Sequence, residues 1–326
     1  MNNNKNILVI GATGNIGQEV LKTFTKKNIA VKAMTKDVTK VKNTETIEWI
    51  FGDFTKAETL DKSFHGIEKI IVITPANEDM VFHQTNIFEA AKRNQVKHFI
   101  KLSSLYNTPK PENTLAKAHD TIEQKIKNSN IAYTFIRPNI FMQTLLGRIT
   151  EKGVLMSLSG NAKISFTDAQ DIGVVLANVA LYDKYLNKAY NISGPEALSY
   201  KDIATVLSKK LNTKITTKNI PAFLGKFGMK KSGISPWLAN AYVELFKEAK
   251  HGKCDNIHSQ TIKEITGNPA HNFDEFSTNN LDKFIETKTQ KPTEDKFKKI
   301  EIMLLFIFLM LSAITFIMIY IKKEAL

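Results

Sequence analysis

The chain has 326 residues, a formal net charge of +13 and a single cysteine, Cys254. Its length suffices for one large α/β domain or two smaller ones, and its 43% hydrophobic and 24% charged residues exclude a disordered chain. One cysteine excludes an intramolecular disulfide and a thiolate metal site. The basic residues are almost all lysine, whereas direct reading of bases favours arginine, so neither a metal nor a nucleic-acid partner is expected.

A glycine-rich turn follows the first apolar run of the chain. Residues 7–10 are predicted to form a β-strand, and Gly11, Gly14 and Gly17 follow within the stretch GATGNIG. The next residues have the apolar spacing of an amphipathic helix. In a strand–turn–helix unit of this kind, the first glycine permits the turn, the second lets the backbone approach a pyrophosphate, and the third lets the helix lie close to the strand. Because a helix N-terminus presents free N–H groups to phosphate, we expect a dinucleotide site here.

Further β-rich runs follow, and most are separated by helical patterns. The runs predicted to be strands are 30–34, 47–51, 69–74, 98–103 and 133–138. Strands that alternate with helices at this spacing predict an α/β fold with a doubly wound parallel sheet. In such sheets ligands bind at the carboxyl ends of the strands.

The end of the second strand indicates which dinucleotide is bound. Lys36 follows this strand directly, where its ammonium can pair with a 2′-phosphate, so NADP(H) is favoured. Asp37 could instead accept from the ribose 2′-hydroxyl of NAD(H), and Lys40 could help or be a solvated lysine. Asp53 follows the third strand and is suited to bind the adenine amine, although a turn aspartate would have the same appearance.

Tyr106 and Lys110 have the Tyr-x-x-x-Lys spacing of a catalytic pair on one helix face. Pro109 and Pro111 argue against a helix here, because the residue before a proline is pushed out of the α region. We therefore interpret this pair as a coincidence of sequence, and we expect the helix to begin after residue 113 or 114.

The C-terminal part of the chain is different in character. Residues 302–321 contain no charged side chain, and about 20 helical residues span the roughly 30 Å of a bilayer core. We expect a transmembrane helix over 300–321, preceded by a polar linker at 286–299. Lysines are more numerous before this segment than after it, which predicts a single-pass anchor with the main domain in the cytoplasm.

As a set, the motifs resemble the atypical short-chain dehydrogenase/reductases of the NmrA-like group, which includes NADPH:quinone oxidoreductases. The similarity covers about residues 5–285. The stretches that show it are 11–17, 33–40, 52–54, 66–75, 96–104, 131–141 and 190–212. The resemblance implies a Rossmann-type domain over 1–285, with a dinucleotide part at about 1–140 and a small C-terminal substrate lobe at about 141–285.

The resemblance also implies roles for individual residues. Those implied to hold the dinucleotide are Gly11, Thr13, Gly14, Asn15, Ile16 and Lys36, together with Gly17 in the turn. Asp53 and Phe54 would flank the adenine. Thr74 and Pro75 would lie beside the nicotinamide ribose.

The catalytic residues that the resemblance implies are fewer. Catalytic relatives have the Tyr–Lys pair on a helix, with a glutamate four residues later. Glu123 matches that glutamate, while Leu115 and His119 stand where the pair would be. His119, oriented and charged by Glu123, could donate a proton, or it could simply pack on the sheet. Ser104 matches a serine that orients a carbonyl, or it caps a strand, and Asn139 is expected to line the cleft near the nicotinamide.

These features predict an NAD(P)H-binding oxidoreductase tethered to a membrane. Its acceptor would be a small quinone-like or carbonyl compound, reduced by hydride transfer without the Tyr–Lys dyad. A quinone can take its protons from water, so a cleft that holds the cofactor would be enough. The alternative is a non-catalytic NADP(H) redox sensor that binds a protein partner, and the missing dyad motivates it.

Overall fold

The computed structural model describes residues 6–105 and 111–285. Tyr106 and Lys110, the predicted linker at 286–299 and the predicted membrane segment at 300–321 lie outside the described residues. All that follows concerns the described ranges.

A seven-stranded parallel sheet forms the centre of the fold. The described residues form nine strands in all, of which seven belong to this sheet. They are β1 Ile7–Ile10, β2 Val31–Thr35, β3 Ile47–Phe51, β4 Lys69–Val72, β5 His98–Leu102, β6 Ala132–Pro138, β7 Val154–Ser157, β8 Lys188–Ile192 and β9 Thr216–Asn219. Their order across the sheet is β3-β2-β1-β4-β5-β6-β8, and β7 and β9 form a separate parallel pair. The strand order reverses between β1 and β4, which is where doubly wound sheets bind their ligands.

Helices cover both faces of the sheet. They are α1 Asn15–Lys26, α2 Leu60–Phe64, α3 Met80–Arg93, α4 Thr114–Lys127, α5 Ala169–Val179, α6 Tyr200–Lys210, α7 Ala222–Lys231, α8 Pro236–Lys250, α9 Ser259–Thr266 and α10 Phe273–Asn279. Side chains alternate along a strand, so Val9 packs among α1, α5 and α9 while Leu8 packs among α2, α3 and α4. Burial on both faces explains why the run 7–10 is apolar throughout.

The second hydrophobic core belongs to the small lobe, to which α6, α8, α10 and the pair β7–β9 contribute. Phe273, Phe276 and Phe284 form its aromatic centre, with ring centroids 6.0 to 6.2 Å apart. Helix α8 begins at Pro236. Ser235 is its N-cap residue, and the Ser235 hydroxyl accepts a hydrogen bond from the Leu238 N–H. This lobe therefore places α8 over the carboxyl ends of the strands.

Strand β8 was not predicted from the sequence. Lys188 and Ala189 are exposed, so this edge strand lacks the apolar run of a central strand. It pairs with β6, from Thr134 opposite Lys188 to Pro138 opposite Ile192. The sheet is therefore not complete at residue 140, because its last strand comes from the part of the chain that follows.

The fold predicted from the sequence included a membrane-spanning helix, and this part of the prediction is wrong for the structure described here. The longest described helix, α8, has 15 residues, fewer than the roughly 20 that a bilayer requires. Within residues 6–105 and 111–285, no helix is long and apolar enough to cross a membrane. The predicted Rossmann-type parallel sheet is confirmed. The predicted membrane partner and the single-pass localisation with a cytoplasmic main domain rested on that helix, and the described residues support neither.

His271 joins the loop before α10 to the N-terminal end of α5. Its Nδ1 lies 3.2 Å from Asp168 Oδ2 and 3.0 Å from Asp171 Oδ1, and its backbone N–H donates to Asp171 at 2.8 Å. The contacts with Asp168 and then Asp171 raise the pKa of His271 to about 10. The ring is therefore charged at neutral pH and links the lobe to the helices of the sheet.

The substitution His271→Gln should lower the free energy of unfolding by about 2 kcal/mol at about pH 6, since the ion pair with Asp168 and Asp171 is lost. The folded pKa exceeds the unfolded value of 6.5. The stabilisation is therefore complete below that value and is lost as the pH rises towards about 10. Urea unfolding of the wild-type protein and of His271→Gln, at about pH 6 and at about pH 10, measures the difference in stability. A gap independent of pH would contradict this role, and His251→Gln on the exposed end of α8 serves as the control.

Candidate active site

The turn after β1 requires glycine at two positions. Gly11 has φ +79°, and a Cβ atom there would lie 1.9 Å from the carbonyl oxygen of Ile73. A Cβ atom at Gly17 would lie 2.3 Å from the carbonyl oxygen of Gly11. Gly14 has an ordinary φ of −79°, and its added Cβ would be 3.5 Å from the nearest atom. The protein itself does not demand glycine at position 14, and the approach of a pyrophosphate to this residue stays a prediction.

The N-terminal end of α1 is open to a ligand. Within the described residues, Gly14 caps the helix without a side-chain hydrogen bond, and the first turn contains no acidic residue. The first hydrogen bond of the helix runs from the Gln18 N–H to the Gly14 carbonyl, which leaves the preceding N–H groups directed outward. Thr13 and Asn15 are exposed beside them. This arrangement is suited to an anionic phosphate.

Lys36 lies at the carboxyl end of β2, next to the candidate adenine residues. Its Nζ is 3.1 Å from Asp53 Oδ1 and 5.2 Å from the centre of the Phe54 ring. The Asp37 carboxylate makes its contacts within its own turn. It accepts a hydrogen bond from the Thr39 N–H at 3.0 Å and forms an ion pair with Lys40 at 3.2 Å. Asp37 is therefore engaged within its own turn, and the contact of Lys36 with a 2′-phosphate stays a prediction.

Asp53 also organises the turn in which it lies. It accepts from the Thr55 N–H at 2.9 Å and from the Thr55 hydroxyl at 2.7 Å. Burial alone would raise the pKa of Asp53, but the Thr55 hydrogen bonds and Lys36 leave it below its ordinary value. The carboxylate is thus charged and fixed. The side chain of Phe54 contacts the ring of His83 edge-on, with centroids 5.4 Å apart.

A cavity of about 450 Å³ lies at the carboxyl ends of β4, β5 and β6, beneath α8. The predicted site residues that line it are Ile16, Thr74, Pro75, Ser104, His119 and Asn139. The Thr74 hydroxyl accepts a hydrogen bond of 2.7 Å from the buried Gln84 amide. The structure therefore brings the three predicted catalytic residues and the predicted ribose residues to one cleft. Their roles there stay predictions.

Asn139 is held in place by the small lobe. Its amide nitrogen donates to Ser165 Oγ and to the Cys254 carbonyl, each at 2.8 Å, and its Oδ1 accepts from the Ile140 N–H at 2.8 Å. These bonds tie the end of β6 to the lobe. Asn139 therefore supports the wall of the cleft more directly than it offers a polar group to a ligand.

Glu123 does not pair with His119, so the expectation that it orients and charges this histidine is wrong. Glu123 is fully buried, where it accepts from Arg137 Nε at 3.0 Å and from the Ser103 hydroxyl at 2.6 Å. Its second oxygen also binds Arg137. Burial would raise the pKa of Glu123, but Arg137 keeps it below its ordinary value.

His119 contacts Lys101 instead. Its Nδ1 lies 2.5 Å from Lys101 Nζ. Burial, and then the positive charges of Lys101 and Arg137, hold the pKa of His119 well below its ordinary value. The ring is neutral, and an ammonium group can only donate, so with Lys101 charged Nδ1 accepts and the ring proton is on Nε2.

Lys101 is the functional candidate that the sequence interpretation missed. It is fully buried near the carboxyl end of β5. The signal was present in the sequence, because a lysine interrupts the apolar run HFIKL of a predicted central strand. Lysine is almost never fully buried without a partner, so its position in that run indicated a specific contact.

The dyad is absent from α4, as expected. Leu115 and His119 both line the cleft, at the positions where the resemblance places the tyrosine and the lysine. The other candidates with this spacing, Tyr106 and Lys110, lie outside the described residues.

The glycine turn, the order of the strands and the cleft at their carboxyl ends define a dinucleotide-binding protein of the Rossmann type. Solved structures share this fold. An NADPH-dependent quinone oxidoreductase of Escherichia coli in complex with NADPH superimposes with a TM-score of 0.76 at 23% identity, over 84% of this chain and 99% of that chain. NmrA, a negative transcriptional regulator in complex with NAD, superimposes with a TM-score of 0.65 at 16% identity, over 84% of this chain and 94% of that chain.

Sequence comparison makes the assignment specific. The NAD(P)H azoreductase of Xenophilus azovorans is 31% identical over 276 residues, which cover 83% of this chain and 96% of that protein. Residues 3–277 match the NmrA-like family. The chain belongs to the NmrA-like family, which confirms the resemblance found in its motifs.

The substitution Gly14→Ser should separate folding from ligand binding. Serine is a good N-cap, so the melting temperature should be retained or raised. Its side chain would occupy the path of a pyrophosphate and satisfy the helix N–H groups, so the Kd for NADPH should rise about tenfold or more. Calorimetric titration and thermal unfolding measure the two effects. Gly17→Ser is the contrasting variant, since its Cβ would clash and destabilise the fold. Unchanged affinity in Gly14→Ser would contradict the assigned site.

Proposed function

We propose that this protein is an NADPH-dependent reductase that transfers a hydride to a quinone-like or other carbonyl acceptor in the cleft beneath α8. Its relatives, an NAD(P)H azoreductase and a quinone oxidoreductase, support an NAD(P)H-dependent oxidoreductase with NADP(H) as the cofactor. The observation that best supports the proposal is the continuity of the two sites. Ile16, in the first turn of α1, lines the same cavity as His119.

The residues of the turn fit a bound dinucleotide. Gly14 leaves space for a diphosphate, and the N–H groups at the start of α1 are directed at it. Lys36 would meet the 2′-phosphate, and Asp53 and Phe54 would flank the adenine. A dinucleotide that extends from this turn past Thr74 and Pro75 would bring its nicotinamide to the cleft.

The cleft suits a flat, largely apolar acceptor. Its walls are mostly hydrophobic, and the apolar side chains that α8 and its surroundings contribute include Leu115, Phe141, Leu238, Tyr242 and Leu245. Ser104 and His119 are polar groups that also line the cavity. An apolar pocket with a few convergent polar groups is typical of a small-molecule site. A quinone ring would meet the apolar walls with its faces and the polar groups with its oxygens.

Bound NADPH supplies the hydride, and the residues of the cleft do the rest. His119 is neutral with its proton on Nε2, so it can donate a hydrogen bond to the oxygen of the acceptor. Leu115 offers no hydroxyl where relatives with the dyad have a tyrosine. The cleft therefore orients the acceptor and excludes water, and the reaction needs no tyrosine acid.

The substitution Lys36→Gln should weaken NADPH binding about tenfold to a hundredfold, because a charged contact to the 2′-phosphate is lost. NADH lacks that phosphate, so its affinity should change little. The two Kd values, measured by calorimetry, give the ratio directly. Lys40→Gln is the matched control, because Lys40 is 81% exposed and pairs with Asp37. Equal losses for both dinucleotides would contradict the role of Lys36.

The purified chain should oxidise NADPH when a benzoquinone or naphthoquinone is added, as the loss of absorbance at about 340 nm would show. The acceptor is expected to occupy the cleft. The substitution Leu238→Trp would fill that space from α8 and should therefore lower turnover at least about tenfold. The affinity for NADPH should stay unchanged in this variant. Tight NADPH binding with no oxidation across the quinone panel would overturn the proposal.

A second candidate function is a non-catalytic sensor of the NADP(H) pool that binds a protein partner. Leu115 at the place of the dyad tyrosine favours it, since no acid of that kind is available. A sensor must bind NADPH and NADP⁺ with different affinities, because only differential affinity shifts a population. Equal Kd values for the two would dismiss this candidate.

A further inference from the structure

Lys101 is a buried cation that the cofactor site does not explain. It is 0% exposed, and its Nζ contacts His119 Nδ1 at 2.5 Å and the Leu102 carbonyl at 3.3 Å. Among the described residues, no carboxylate is within ion-pair distance of Nζ. A fully buried lysine normally has such a partner, because desolvation of an ammonium group is costly.

The surrounding charges keep Lys101 apart from the nearest carboxylate. Glu123, on α4, is bound by Arg137 from β6 and by Ser103 from the end of β5. Burial lowers the pKa of Lys101 to about 7, against an opposing effect of Glu123 and a further lowering by Arg137. Lys101 can therefore lose its proton near neutral pH, whereas an ordinary lysine cannot.

A neutral histidine by itself is a poor acid. If His119 gave up its Nε2 proton with nothing bound to Nδ1, it would become an imidazolate, which is strongly unfavourable. A proton supplied to Nδ1 at the same time avoids that charge. Lys101 is placed to supply it, because its Nζ already donates to Nδ1.

We propose that Lys101 and His119 form a proton relay that serves the acceptor in the cleft. The proposal rests on the reductase function above. As the hydride reduces the acceptor and NADPH is oxidised, the acceptor oxygen takes the Nε2 proton of His119. The Nδ1 atom takes a proton from the Lys101 ammonium group in the same step. Lys101 ends as a neutral amine and His119 as the Nδ1–H tautomer, and a proton from water resets both. His119 touches the acceptor, while Lys101 is a positioning and proton-supplying residue that acts through it.

Other titratable groups face this pair from the elements around it. Glu123 and Arg137 lie beside it, from α4 and β6. Those that line the cleft on the side of the small lobe are Tyr242, Glu248, Lys253 and Cys254. Burial raises the pKa of the Cys254 thiol to about 12 and also raises the pKa of Tyr242, so neither titrates near neutral pH. Among the described groups here whose pKa is shifted, Lys101 is the one brought close to neutral pH.

The first arm of the test needs no acceptor. Nitrogen-15 NMR of the histidine rings, with the His119 signals assigned from His119→Gln, reports the tautomer. Wild-type His119 should be neutral and protonated on Nε2, and its Nδ1 shift should change at about pH 7 as Lys101 titrates. In Lys101→Met that change should be lost. A His119 protonated on Nδ1, or a titration that persists in Lys101→Met, would overturn the relay whatever the turnover.

The second arm uses quinone reduction. Wild-type kcat should fall above about pH 7, since deprotonated Lys101 has no proton to give. Lys101→Met should lower kcat about a hundredfold, the usual contribution of an acid catalyst, and should remove that pH dependence with little change in KM. Lys101→Arg keeps the positive charge but does not release its proton, so it should stay as slow as Lys101→Met. Rescue by arginine would show that charge alone is needed and would overturn the relay.

The control is Lys69→Met, a lysine on the neighbouring strand β4 whose Nζ bonds the Ala180 carbonyl at 3.0 Å, away from the cleft. It should keep the wild-type kcat and pH profile. Each variant is compared for its melting temperature and its NADPH affinity, so that misfolding is recognised. If the wild-type protein reduces no quinone, the proposed function fails. If it does and Lys101→Met keeps the wild-type pH profile, the relay alone fails.

Discussion

The candidate site depends on how closely α1 approaches the ends of β1 and β4. Gly11 allows the turn because an added Cβ would lie 1.9 Å from the Ile73 carbonyl, and Gly17 allows the helix to rest on that turn. Gly173 lets α5 pack against α1 from the other side, since a Cβ there would lie 2.4 Å from the Glu19 Cβ. These backbone contacts, rather than any side-chain ligand, direct the N–H groups of α1 towards the switch point of the sheet. The proposed position of the cofactor and the place of the cleft both depend on this geometry.

The second constraint is the buried ion pair between Glu123 and Arg137, which holds α4 against β6. Because this pair satisfies the carboxylate, His119 one turn earlier on α4 is left to a different neighbour, and Lys101 fills that place. A buried ion pair is weak as a source of stability but strict about geometry, since loss of one partner leaves an uncompensated charge. It therefore fixes the direction of α4 and, with it, the distance from His119 to the acceptor site.

Most of the sheet could be predicted because its central strands are apolar on both faces, and the run 7–10 with its glycines is a local signal. Strand β8 could not be predicted, since an edge strand with exposed Lys188 and Ala189 lacks that signal. Spacing on one helix suggested a Glu123–His119 pair, but the choice of partner is made by Arg137, which comes from a strand further along the chain. The three predicted catalytic residues do meet in one cleft. The apolar run at the C-terminus led to a membrane assignment that the described residues do not support.

The late arrival of β8 has a consequence for synthesis of the chain. When the ribosome has released residues only as far as Pro138, β6 is the outermost strand, and its unpaired backbone groups are open to other chains. That edge is covered only after Lys188–Ile192 has emerged and paired with it. Helix α5, which packs on α1, also lies in the intervening stretch. The sheet of the nucleotide-binding half therefore completes its packing only after residues up to Ile192 have emerged.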